Sequence, residues 1–161
     1  MFNKIISYEE SLTVELKHPH PTERLPMYKE ADERGDCSLV MNCNGSPSLE
    51  VLCRIEGLGK EPRGNRIGIL IVPYERELSI YTAVEESNGE IDGGLSVCEI
   101  GDIHTPLDAI IAKAKAEMSK CPVCGKAIPI SEQKMFSFAG RCCPDCLPKM
   151  KEKYEKPGWY N

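Results

Sequence analysis

Residues 121–146 read CPVCGKAIPISEQKMFSFAGRCCPDC and hold five of the chain's nine cysteines. Two pairs, Cys121 with Cys124 and Cys143 with Cys146, each enclose two residues, a spacing at which a tight turn aims both sulfurs at one point. Gly125 relieves crowding behind the first pair. The intervening KMFSFAGRC reads as a short hairpin. Four thiolates suit Zn2+, which accepts tetrahedral sulfur coordination and brings no redox chemistry. With all four positions filled by protein, no place remains for an activated water, so one structural zinc is expected. The doublet Cys142-Cys143 leaves two choices for the third ligand. Only Cys143 keeps the two-residue gap to Cys146, which assigns Cys142 to the local core or its edge. Paired thiols also serve disulfide exchange, and four can hold an iron cluster. Two pairs spaced for a single cage favour zinc over both.

Immediately upstream, HTPLD at 104–108 reads as a helix start, with Thr105 as the cap, Pro106 in the first helical position and Asp108 three residues after the cap. Leu107, Ile110, Ile111, Ala114 and Met118 then line one face of a helix running to about Ser119. It leads into Cys121 without a flexible linker, so the cysteine module is expected to be held rigidly against the rest of the chain. Further upstream, SLTVEL at 11–16 alternates Leu12, Val14 and Leu16 as in a half-buried strand. KHPHPTERLPMYKEADERGD, with three prolines and dense charge, reads as an exposed connection with a helical turn after Pro26. SLVMNC and SLEVLCRI flank the reversal NGSP as a hairpin, and NRIGILIV, RELSIYTAV and GLSVCEI follow between turn signals. The expected fold is α+β: an antiparallel sheet of five or six strands covered by one helix over residues 1–119, then a four-cysteine module over 120–161.

The C-terminal quarter resembles the zinc-ribbon and treble-clef group in its CPxCG knuckle, its hairpin with FxFxGRxC, and its CPxC entering a terminal helix within PDCLPKMKEKYEK. The resemblance implies Cys121, Cys124, Cys143 and Cys146 as ligands, with Gly125 and Gly140 at turn positions. Modules of that group bind nucleic acids, bind proteins or brace a fold. Residues 1–120 resemble no family.

The chain's 161 residues suffice for one ordinary core and a small satellite. No apolar run approaches the roughly 18 residues of a membrane span, and the N-terminal stretch does not read as a signal peptide. The cytoplasm, of a cell or of an infected host, is the default location. A reducing compartment and an odd cysteine count disfavour a disulfide framework. Residues 120–161 carry eight Lys or Arg against four Asp or Glu, and the preceding residues twelve against twenty-one, giving +4 and −9 for the total of −5. A zinc with four thiolates lowers the module to about +2, too little to mark a nucleic-acid surface.

Three functions follow from these residues. The first is a nonenzymatic, zinc-stabilised protein-interaction factor, an inhibitor or regulator of a basic protein partner, with Glu30, Asp32, Glu33, Asp36, Trp159 and Tyr160 as interface candidates. A phage factor aimed at a host protein is one setting that fits. The second is nucleic-acid binding through Lys126, Lys134, Arg141, Lys149, Lys151 and Lys153, aided by Phe136 or Phe138. The third is a small enzyme built on Asp92, Cys98, Asp102 or His104, although no serine elbow, P-loop or nucleotide fingerprint accompanies them. Cys37, Cys43, Cys53 and Cys98 read as small core hydrophobes, and His18 and His20 as exposed loop residues.

Overall fold

The computed structural model describes residues 3–13, 25–42, 48–55, 66–137 and 140–154. Six strands form an antiparallel meander in chain order: β1 (Asn3–Ile6), β2 (Cys37–Asn42), β3 (Ser48–Arg54), β4 (Arg66–Tyr74), β5 (Glu77–Glu85) and β6 (Ile91–Ile100). Alternation places Leu39, Val51, Ile71 and Ile80 on one face. Two helices cover that face, α2 (Pro26–Glu33) with Met27, Tyr28 and Ala31, and α3 (Leu107–Met118) with the five apolar residues of its stripe. On the opposite face Val40, Leu52, Leu70, Ala83 and Ile91 form a second, smaller buried cluster. The sheet curls around it, and the Asn3 side-chain amide donates to the Ile91 carbonyl, tying the first strand to the last.

Gly68 lies at a tight approach of β3 and β4, since a Cβ there would sit 2.3 Å from the Cys53 carbonyl oxygen. A register shift around Tyr81 interrupts the β5–β6 ladder, and the Thr82 hydroxyl accepts from the Leu95 amide at 2.8 Å. The local bulge therefore leaves that donor satisfied.

Three local expectations need correction. Ser11 and Leu12 lie in a short helix, α1 (Tyr8–Leu12), rather than a strand. The Ser7 hydroxyl accepts from the Glu10 amide at 3.1 Å, and Glu9 and Glu10 favour the positive end of the helix. Val14 and Leu16 lie outside the described residues. The segment after Pro26 is a buried packing element, not merely a turn in an exposed connection. Thr105 does not cap α3: its hydroxyl donates to the Asp102 carbonyl, while Glu30 of α2 accepts from the Leu107 amide at 2.7 Å. The cap arrives from another helix, as local spacing does not reveal.

Candidate metal centre

The module grows directly out of α3. Past Met118, Ser119 accepts from the Ile128 amide at 2.9 Å and Lys120 bridges Ala127, so the chain folds back on itself. Inside this loop the Cys121 amide donates to Lys126 and the Gly125 amide to Cys121, both at 2.8 Å. Gly125 closes the turn at φ +77°, a conformation that side-chain-bearing residues rarely adopt. The hairpin follows as β7 (Lys134–Ser137) and β8 (Gly140–Cys142). Cys143 opens a second turn, in which the Cys146 amide returns to the Cys143 carbonyl at 3.1 Å, and the chain enters α4 (Leu147–Tyr154). Pro148 falls in the first turn of α4, where its missing amide costs no helical bond.

These turns bring the sulfurs of Cys121, Cys124, Cys143 and Cys146 all within 4.8 Å of one another. Tetrahedral coordination with zinc–sulfur bonds of about 2.3 Å puts sulfurs about 3.8 Å apart. Cys124 and Cys143 lie 3.7 Å apart, so the cluster can hold a metal without rearrangement of that edge. Burial works against a charged Cys121 thiol, but backbone amides aimed at its sulfur win. Cys143 and Val123 donate at 3.3 and 3.4 Å, and the thiol is held down to about 6. A thiolate at neutral pH is the ligand form. Cys142 behaves oppositely: fully buried with Ile128, Phe136 and Met150, its thiol is pushed up to about 11 by burial and by the neighbouring thiols. It stands in the module's small core, outside the four-sulfur group.

The cluster is also anchored to the sheet. The buried Gln133 side chain donates to Met118 at the end of α3 and to Ile128 in the module, at 2.5 and 3.3 Å. Arg141 donates to the Gln133 and Ile130 carbonyls at 3.2 and 3.4 Å, and Ile130 packs against the main core. A cavity of about 290 Å³ lies along this seam, walled by Leu95, Val97, Met118, Pro122, Gln133 and Arg141. Sequence reasoning missed Gln133, a lone glutamine with no motif around it.

Other candidates are more dispersed. Arg141 is buried with its guanidinium on carbonyls, and Phe136 is buried in the module core, so neither stands on the surface as a phosphate or base contact. Lys126 pairs with Asp145 at 3.2 Å across the two turns. Lys134, Lys149 and Lys153 are exposed and Lys151 is half-buried. Among the acidic residues, Glu30 caps α3, Asp32 accepts from the Tyr8 amide, and Asp36 binds Arg34, which also pairs with Asp108; Glu33 is exposed. Asp92 lies near the start of β6 and Asp102 just past its far end, so the strand separates them. Asp102 and His104 meet at 3.4 Å on an exposed turn, and Cys98 is half-buried on β6. Phe138, Trp159, Tyr160, His18, His20 and Cys43 lie outside the described residues. No helix among the described residues is long and apolar enough to cross a membrane.

No family model, no curated protein and no solved structure matches the chain. The four-cysteine cluster is thus the feature that carries functional weight.

Proposed function

We propose that the chain is a nonenzymatic protein-interaction factor of the cytoplasm, whose C-terminal module, a treble-clef-like unit, is held rigid by one structural zinc. The observation that carries this reading is the convergence of four thiols within 4.8 Å of one another, buttressed by Gln133 and Arg141 against the main fold. Four protein ligands complete zinc's coordination, so the metal stabilises rather than catalyses. Leu95 on β6 and Val123 between the first two cysteines remain exposed; the sheet holds Leu95, and the cage would fix Val123. Rigid apolar anchors lower the ordering cost of association. The acidic surface near Glu33 favours a basic protein over a phosphate backbone.

The test begins with elemental analysis and native mass of protein purified without added metal; one zinc per chain is expected. Immobilised holoprotein should then capture a specific protein that soluble holoprotein competes away and that the apoprotein does not retain. Metal-free folded protein, or saturable low-salt binding to DNA or RNA in place of protein capture, would overturn the reading.

A further inference from the structure

Cys37 opens β2, and Cys53 stands directly opposite it in the β2–β3 ladder. Directly opposed residues of antiparallel strands have Cα atoms about 4.5–5.5 Å apart, inside the range of about 4.4–6.8 Å that a disulfide spans. Both side chains enter the main core, and their sulfurs lie 2.9 Å apart. Carbon atoms in ordinary contact rest at about 3.5–4.0 Å, so two larger sulfurs at this separation are more than a pair of space-filling hydrophobes. A bond of about 2.05 Å requires a further approach of about 0.9 Å. The strands that carry the thiols are already paired in register.

Access is unequal. Cys53 is 1% exposed and Cys37 6%. Cys37 contributes to the wall of an open groove of about 340 Å³, together with Ile5, Ser7, Glu10, Asp32 and Ser38. Two carboxylates in that wall repel anions and draw in cations. The four-sulfur cluster shares none of these residues.

We infer that Cys37 and Cys53 form a reversible dithiol–disulfide pair, oxidised by small cationic or neutral disulfides that reach Cys37 through this acidic groove. In the first step the Cys37 thiolate attacks one sulfur of the small disulfide. The small molecule's S–S bond breaks, and the departing thiolate takes up the proton that Cys37 lost. Cys53 then loses its proton and attacks the Cys37 sulfur of the mixed disulfide. The second half departs and takes that proton. Two protein thiols are oxidised and one small disulfide is reduced to two thiols. The new bond links β2 to β3 beside Asp36, whose partner Arg34 also reaches Asp108 of α3.

The experiment treats the zinc-loaded full chain at low ionic strength with equal concentrations of cystamine, a dication, or oxidised glutathione, an anion. Acid quenching, alkylation in denaturant and peptide mass mapping then locate each linkage. A peptide pair joining Cys37 and Cys53, two hydrogens lighter, is expected with zinc retained and with reversal by dithiothreitol. It should form several-fold faster with cystamine, and the difference should shrink with added salt or in Glu10→Gln. Cys53→Ser should stop at a mixed disulfide on Cys37; should that variant fail to fold, the linkage map of the unaltered chain still decides. Folded, zinc-retaining protein in which both cysteines stay alkylatable, or forms disulfides only elsewhere, overturns the pair. Equal or reversed rates for the two reagents overturn the groove as its entrance.

Discussion

Glu50 offers a quantitative check on the inner face of the curled sheet. It stands opposite Val40 on β3 and is 5% exposed. One of its carboxyl oxygens has no partner, nor does the amide oxygen of Asn3, whose register partner Asn42 hydrogen-bonds Glu50. Burial pushes the carboxyl up from 4.5 to about 7, against a smaller lowering by Asn42. Between those values the folded chain keeps a proton that the unfolded chain has released. This contribution to stability is therefore present below about pH 4.5 and lost as pH rises through about 7. The full shift corresponds to about 3 kcal/mol, of which about 2 kcal/mol falls between about pH 5.5 and 8.5. Glu50→Gln preserves shape and supplies permanent donors without titrating. Urea unfolding of zinc-loaded protein at matched pH cancels the metal's own pH dependence between variant and parent. The variant should gain about 2 kcal/mol relative to the parent across that window. A difference constant to within about 0.5 kcal/mol would show that Glu50 is not a buried neutral acid, and the reasoning would fail.

Three further perturbations probe the site and its support. Gln133→Leu removes the side-chain bond to Met118 that ties the module to α3 and the bond to Ile128 within the module, and leaves two buried carbonyls short of a donor, so a loss of about 2–4 kcal/mol in denaturant unfolding is expected; a loss below about 0.5 kcal/mol would mean that the seam is not held there. Gly68→Ala places a methyl 2.3 Å from a backbone oxygen, and should cost at least about 2 kcal/mol or prevent soluble expression; parent-like unfolding would contradict the strand approach. Cys143→Ala should abolish stoichiometric zinc, whereas Cys142→Ala should keep one zinc per chain by elemental analysis; the reverse pattern would reassign the ligand.

Much of the fold was legible because its signals are local. The α3 stripe from Leu107 to Met118 follows from 3.6-residue spacing, and the strands follow from alternation or apolar runs between turn residues. The cysteine spacing likewise points to four sulfurs that meet in space, since short turns converge without information from distant residues. What spacing could not convey depends on long-range placement. Pro26–Glu33 has a charged sequence, yet Met27, Tyr28 and Ala31 recur on one side and become core only because the sheet lies beneath them. Thr105 satisfies the cap pattern, but Glu30, seventy-seven residues earlier than Leu107, takes the position. Gln133 carries no motif, and Arg141, although it falls in the FxFxGRxC run, reads there as a surface base; the buried role of both comes from α3 ending beside them. Cys37 and Cys53 looked like separate core residues until strand register made them neighbours.

The same distinction changes how the chain's acidity should be read. The run EADERGD suggests a negative surface when counted along the sequence. In the fold, Glu30 serves a helix N-terminus, Asp32 a backbone amide, and Asp36 an arginine that also binds Asp108. The Arg34 guanidinium beside Asp36 holds that carboxyl down to about 2, consistent with its ionised role. These groups stabilise contacts among α1, α2 and α3, so substituting them would disturb packing as well as surface charge. Glu33 is the cleaner probe for recognition of a basic partner. The exposed Leu95 and Val123 probe a different surface, where the four-cysteine cluster meets the sheet. A partner that loses affinity with Leu95→Ser or Val123→Ser but not Glu33→Lys would place recognition on the braced apolar seam. The opposite pattern would place it on α2. Either pattern separates the contribution of the apolar seam from that of net charge.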